Sequence, residues 1–329
     1  MFDYPFPPPP PDNSDFGFKI INLRNASDMV LPSKYILTHS SYFDVDARVA
    51  LKNFPNSEVL SLEHGNTEHV YDVFMNHLPE LQEVYESLID ERSKETFCGY
   101  WRGKILNQVG KMVFSKTPSY IRDGFLPKEG DIFIDCGACD GLTAARFADL
   151  GCKVYSFEMD KKNFEIASNL AKEKNFVLEN MGLGSYKHEM NYFHDDVNPT
   201  ASRLDPNGTN KTMITTIDSY ICENKISHVD FIKMDVEGAE LDVLKGAVIT
   251  LAKYKPILTL SAYHKLDDLW TLMNFIKSVR PDYEFAIQQC GFNREDISLF
   301  LPEELEHNLD MLGLDVKLLT FGECILFAR

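Results

Sequence analysis

Two acids placed at the ends of apolar runs carry the first chemistry in this chain: Asp135, within DIFIDCGACDGLT (131–143), and Glu158, which closes VYSFE. Ile132, Phe133 and Ile134 form a run of buried-strand length that stops at Asp135 and turns through Gly137, Ala138 and Gly141. A helical segment follows, with Leu142, Ala145, Phe147 and Leu150 spaced to face a core, and Gly151 is a good helix stop. A second run, Val154 to Phe157, then ends in Glu158. Strand, glycine turn, helix, strand and acid make half of a doubly wound nucleotide-binding fold, whose ligands sit at the carboxyl ends of the strands.

The glycines decide which nucleotide suits the loop. A dinucleotide site asks for G-x-G-x-x-G, so that backbone amides and a helix N-terminus approach a pyrophosphate. Here the loop reads D-x-G-x-x-x-G, with Asp140 where a phosphate would meet like charge. S-adenosylmethionine has no phosphate. Its sulfonium and ammonium favour an acidic loop, and its ribose diol can be gripped by both oxygens of a carboxylate. Glu158 lies about twenty residues past the loop, where this fold places its ribose-binding acid. The expected cofactor contacts are Asp135, Gly137, Ala138, Gly141 and Thr143 from the loop, Glu158, and Asn180 at the end of the third strand.

A second acidic cluster lies in VDFIKMDVEGAELDVLKGA (229–247). Asp235 again falls at a strand end, while Glu237, Gly238 and Glu240 open the next helix. Three acids so close repel one another unless a cation is near, and the sulfonium, a metal ion or Lys233 could supply it. Glu237 and Glu240 could equally complement the helix N-terminus. Alternation along the strand turns Lys233 away from the face that Asp235's neighbours use.

The 329-residue chain carries 33 basic against 50 acidic residues, a net charge of −17, and no basic stripe to meet a phosphate backbone. Nucleic acid is therefore not expected as a substrate, and an anionic membrane surface is not expected as a partner. No apolar stretch approaches the roughly twenty residues of a membrane span, and the opening MFDYPFPPPPPD lacks a signal peptide's basic and apolar regions. The seven cysteines are odd in number and scattered, so reduced thiols and a cytoplasmic location are expected. Cys136 and Cys139 form a C-x-x-C without a second pair or nearby histidines, and no metal site is expected from them.

Three regions must position these groups. Residues 1–20 read as a proline-rich, disordered leader. Residues 21–128 read as an α/β and helical extension: strands at Tyr35 to Thr38 and Val59 to Leu62, a helix at Val45 to Lys52, and helical patterning from His69 to Glu91 and onward to Gly103. Residues 129–329 alternate strand and helix. Beyond Glu158 the elements are a helix near Asp160 to Lys172, a strand at Asn175 to Asn180, and a polar excursion at His188 to Asn210 that reads as an active-site flap. Strands at Val229 to Met234 and Pro256 to Ala262, a helix at Asp267 to Ser278, and closing strands at Tyr283 to Gln288 and Cys324 to Phe327 complete the domain.

DIFIDCGACDG, the FE of the second strand, FIKMDVEGAELDVLKGA and the strand-end Tyr263-His264-Lys265 together resemble the FkbM family of S-adenosylmethionine-dependent methyltransferases. The resemblance covers about 129 to 290, and ESLIDERSKETF and SYIRDGFLPKEGD upstream resemble the amino-terminal extension of some members. The glycine loop is generic for the cofactor fold, whereas KMDVEGAE is specific. Met159 stands where members commonly have proline, and residues 1–65 fall outside the resemblance. It implies a class I methyltransferase sheet, Rossmann-like and seven-stranded with the last strand antiparallel, and O-methylation of a sugar, glycan or secondary-metabolite hydroxyl. Asp235 and His264 are then the candidates to take the hydroxyl's proton. A nicotinamide-dependent oxidoreductase and a non-catalytic cofactor-binding scaffold are the alternatives, and oligomeric state is not legible.

Overall fold

A computed structural model of the chain describes residues 35–38, 58–61, 67–106, 112–115, 117–194, 202–292 and 318–329. The chain divides into two units, Met1–Gly65 and Asn66–Arg329. In the first, β1 (Tyr35–Thr38) and β2 (Glu58–Ser61) pair in parallel. The leader and the helix expected at Val45 to Lys52 lie outside the described residues.

The second unit opens with three helices, α1 (Thr67–Asn76), α2 (Leu78–Ser87) and α3 (Glu91–Leu106). Apolar spacing alone suggests one helix from His69 to Glu91, but the chain breaks at His77. Pro79 stands in the first turn of α2, where its missing N–H costs nothing, whereas inside one continuous helix it would remove a ladder bond and its ring would clash with the carbonyl four residues before it. Leu81, Val84, Leu88, Phe97, Tyr100 and Trp101 from these helices are buried in the largest hydrophobic cluster, beside Trp270, Ile287 and Leu326.

The alternating region follows: β3 (Ile132–Cys136), α4 (Leu142–Asp149), β4 (Lys153–Phe157), α5 (Lys161–Lys174), β5 (Val177–Glu179), β6 (Gly182–Leu183), β7 (His188–Phe193), β8 (Arg203–Leu204), β9 (Asn210–Thr215), α6 (Ile217–Glu223), β10 (Phe231–Met234), α7 (Glu240–Lys245), α8 (Val248–Tyr254), β11 (Ile257–Ser261), α9 (Asp268–Val279), β12 (Phe285–Phe292) and β13 (Leu318–Ala328). Seven of these strands form one sheet in the order β12-β13-β11-β10-β3-β4-β5. β13 runs antiparallel to both of its neighbours, and the pairings from β11 across to β5 are parallel. This is the expected mixed α/β sheet. Alternation sends Ile134, Cys136, Ile232 and Met234 into the main cluster. Phe133, Phe231 and Phe147 stack on the other face, with centroids 4.4 to 5.8 Å apart.

The excursion at His188 to Asn210 is not a plain flap. β6, β9, β7 and β8 form a second, four-stranded sheet. Its polar outer face hides the alternation in the sequence: Lys211 of β9 pairs with Glu189 of β7 at 2.5 Å, while Tyr192 and Ile214 are buried on the inner face. Residues 195–201, within that excursion, lie outside the described residues.

Candidate active site

The carboxyl ends of β3, β4 and β10 open onto a cavity of about 370 Å³, within the range of small-molecule sites. β3 ends in a turn that only glycine fits. Gly137 has φ of +90°, and a Cβ there would lie 1.9 Å from the carbonyl oxygen of Asp235. The N–H groups of Gly137 and Ala138 donate to Phe157 O at 3.0 and 2.9 Å, and Asp235 N donates to Cys136 O at 2.9 Å. The two strand-end turns are therefore locked to each other.

Glu158 lines the cavity from the end of β4. Its Oε2 accepts from Cys139 N and its Oε1 from Asp160 N, both at 2.7 Å. Each oxygen retains a second lone pair for a ligand hydroxyl. Burial, against the pull of those two N–H groups, raises its pKa to about 7. Asp160 continues the design as the N-cap of α5, accepting from Lys162 N and Asn163 N. Its Oδ2 also receives Ser202 Oγ at 3.0 Å and His194 Nδ1 at 2.6 Å, which ties the second sheet to the rim.

Asp235 and Glu237 line the same cavity from the end of β10. Asp235 Oδ2 accepts from Tyr120 Oη at 2.8 Å, and that hydroxyl also lies 3.1 Å from Ser261 Oγ. Glu237 and Gly238 both have positive φ, +51° and +92°. This turn aims Glu237 toward His264, whose Nε2 faces Glu237 Oε1 at 3.5 Å and Asp235 Oδ1 at 3.6 Å. His264 Nδ1 is held 2.9 Å from Oε1 of the buried Glu240. Burial works against charge on His264, but Glu237, Glu240 and Asp235 outweigh it and raise its pKa to about 11. It thus holds a proton rather than taking one.

Of the residues expected at the cofactor, the cavity wall includes Gly137 and Glu158 but not Asp135, Ala138, Gly141, Thr143 or Asn180. Asp135 is fully buried, 3.1 Å from Lys233 Nζ and accepting from Ser156 Oγ, and Lys233 also donates to Gly137 O. The pair braces the loop from behind. Ala138 is tied to β4, Gly141 packs against Ala167 and Phe176, and Thr143 lies in the first turn of α4. Asn180 Nδ2 donates to Glu158 O at 2.9 Å and steadies the turn after that acid. Of the two proton-acceptor candidates, Asp235 lines the cavity and His264 stands behind it.

The sequence reading missed Tyr120, which reaches Asp235 from a loop before β3, and Met181, Ser202, Leu204 and Glu323 in the wall. Tyr120 has φ of +64°, an uncommon conformation outside glycine that no local sequence signal announces. Burial raises the Cys139 thiol to about 12 and Cys136 well above its ordinary value, so the C-x-x-C pair stays protonated.

Residues 135–293 match the family model described as the methyltransferase FkbM domain. Over those residues the chain is similar to FkbM methyltransferases. A solved FkbM methyltransferase from Methylobacillus flagellatus KT shares its fold, with a TM-score of 0.65 and 20% identity over 89% of this chain and 73% of that one. Precorrin-6y C5,15-methyltransferase from Geobacter metallireducens gives a TM-score of 0.37 at 10% identity, covering 67% of this chain and 94% of that one. Fibrillarin from Aeropyrum pernix, solved with natively bound S-adenosyl-L-methionine, gives 0.34 at 11% identity, covering 62% and 69%. No curated protein matches the chain. The matched residues span the glycine turn, Glu158, the DVEGAE turn and His264. Among the described residues, no helix is long and apolar enough to cross a membrane.

Proposed function

We propose that this chain is an S-adenosylmethionine-dependent methyltransferase that acts on a hydroxyl of a small molecule or glycan, in the cytoplasm. One observation carries the reading: among the described residues, the cavity wall bears Glu158, Asp235, Glu237 and Glu323 and no lysine, arginine or histidine. Such a wall repels the pyrophosphate of a dinucleotide and suits a sulfonium, which argues against a nicotinamide cofactor. It also favours a neutral or cationic acceptor over a phosphorylated one. Gly137 lets the two strand-end turns close against each other beside the cavity, and Glu158 offers a carboxylate to a diol. The seven unpaired cysteines suit a reducing compartment.

When bound, S-adenosylmethionine supplies a methyl group whose sulfur leaves as a neutral thioether. Asp235, braced by Tyr120, orients the acceptor hydroxyl and receives its proton. With no cation bound, His264 holds a proton and faces both carboxylates. Holding the acceptor oxygen in reach of the transferable methyl group would supply most of the rate.

Calorimetry with S-adenosylmethionine and NAD tests the cofactor, and mass spectrometry of hydroxylated acceptors tests the reaction by a gain of one methyl group. Asp235→Asn should bind the cofactor as before while methyl transfer falls about 10²–10⁴-fold. Tight NAD binding without S-adenosylmethionine binding overturns the reading.

A further inference from the structure

The turn after β10 and the end of β11 bring together three groups that face one another without bonding. His264 Nε2 and Asp235 Oδ1 are buried and have no hydrogen-bond partner. The His264 side chain is only 10% exposed, and its Nε2 points between Asp235 Oδ1 and Glu237 Oε1. At 3.6 and 3.5 Å these contacts are too long for good N–H···O bonds. A buried donor and acceptor left facing each other in this way are costly. The three atoms all lie within 4.8 Å of one another.

We propose that Asp235, Glu237 and His264 form a divalent-cation site. A cation about 2.0–2.2 Å from each ligand requires ligand spacings of roughly 3–4 Å, so the side chains need to close by no more than about 1 Å. The supports behind the ligands are those of a built site. Glu240 Oε1 fixes His264 Nδ1 at 2.9 Å and leaves Nε2 for the metal, and Tyr120 fixes Asp235 through Oδ2. Lys233 and Lys265 direct their ammonium groups elsewhere, to Gly137 O with Asp135 and to Gly238 O. Two carboxylates and one imidazole suit Mn²⁺. The ion displaces the proton on Nε2, and its remaining positions face the cavity that Asp235 and Glu237 line.

The ion's role rests on the methyl-transfer reading, whereas the site itself does not. In that role it holds an acceptor with two adjacent oxygens, such as the vicinal diol of a sugar, and makes the bound hydroxyl more acidic.

The test is Mn²⁺ titrated into the full chain after chelator treatment, followed by electron paramagnetic resonance. The expected result is one bound Mn²⁺ per chain, with nitrogen modulation in the spin-echo spectrum from a coordinated imidazole. Glu237→Gln and His264→Gln should each weaken binding at least tenfold, and His264→Gln should abolish the modulation. Glu158→Gln should bind Mn²⁺ as the parent does. No saturable Mn²⁺ binding, or binding without nitrogen modulation in the parent protein, overturns the site even where the variants fail to fold. Calorimetry with S-adenosylmethionine on the same sample separates that outcome from failure of the methyltransferase reading.

Discussion

Glu158 shows how one environment sets both a stability and a binding profile. It is 6% exposed, and burial raises its pKa to about 7 despite two backbone donors. An unfolded glutamate titrates near 4.3, so between roughly pH 4.5 and 7 the folded protein holds a proton that the unfolded chain has lost. The contribution of Glu158 to stability therefore falls as pH rises through that window. Cofactor binding should run the opposite way. A ribose diol donates two O–H groups, which an ionised carboxylate accepts best. Affinity for S-adenosylmethionine should rise between pH 6 and 8, and Glu158→Gln should flatten that rise and weaken binding about ten- to a hundredfold. Calorimetry at several pH values measures both, and a pH-independent parent affinity would count against the ribose assignment. The acid itself was legible because a single strand-end position after a glycine loop is defined by spacing. Tyr120 was not, because its partner Asp235 lies 115 residues away and nothing local requires the contact.

At the scale of elements, β3 and β10 are joined by more than their backbone ladder. Lys233 and Asp135 are register partners, and their side chains form an ion pair fully enclosed by the sheet and its covering loop. Lys233 also lies 5.3 Å from the Tyr120 ring centroid. Removing one partner strands a buried charge, so Lys233→Met should destabilise the fold by about 3–5 kcal/mol, and adding Asp135→Asn should restore part of that loss. Urea denaturation of the single and double variants measures it, and equal stabilities would show that the pair does not hold the strands. The strands of the main sheet were readable because both faces are buried and their cores are continuous apolar runs. The second sheet was not readable, because its strands are short and cross-strand pairs such as Glu189 with Lys211 look like loop residues in one dimension. The break at His77 was written in Pro79 but masked by apolar spacing that continues across it.

For the molecule as a whole, the compact unit that holds the cavity begins at Asn66, well before the first strand of the main sheet. α2 and α3 bury Leu81, Val84, Leu88, Phe97, Tyr100 and Trp101 in the same core as β12 and β13. Arg122 links α3 to the sheet by donating to Ile287 O, Asp90 and Ser93. Fully burying a large apolar side chain stabilises by about 1.5–3 kcal/mol, so several lost together exceed the net stability of a typical domain. A chain starting at residue 129 should lose cooperative unfolding and a monodisperse profile in size-exclusion chromatography, and a stable, monodisperse fragment would refute this packing claim. The contact of Gly137 with the carbonyl of Asp235 carries a consequence for evolution as well as for chemistry. A side chain at position 137 meets backbone on one side and breaks a left-handed turn on the other, so the lineage can retune what it modifies only from the rim inward. Inherited diversity should therefore gather in the second sheet, around Ser202 and Leu204, while the paired turns stay frozen across descendants.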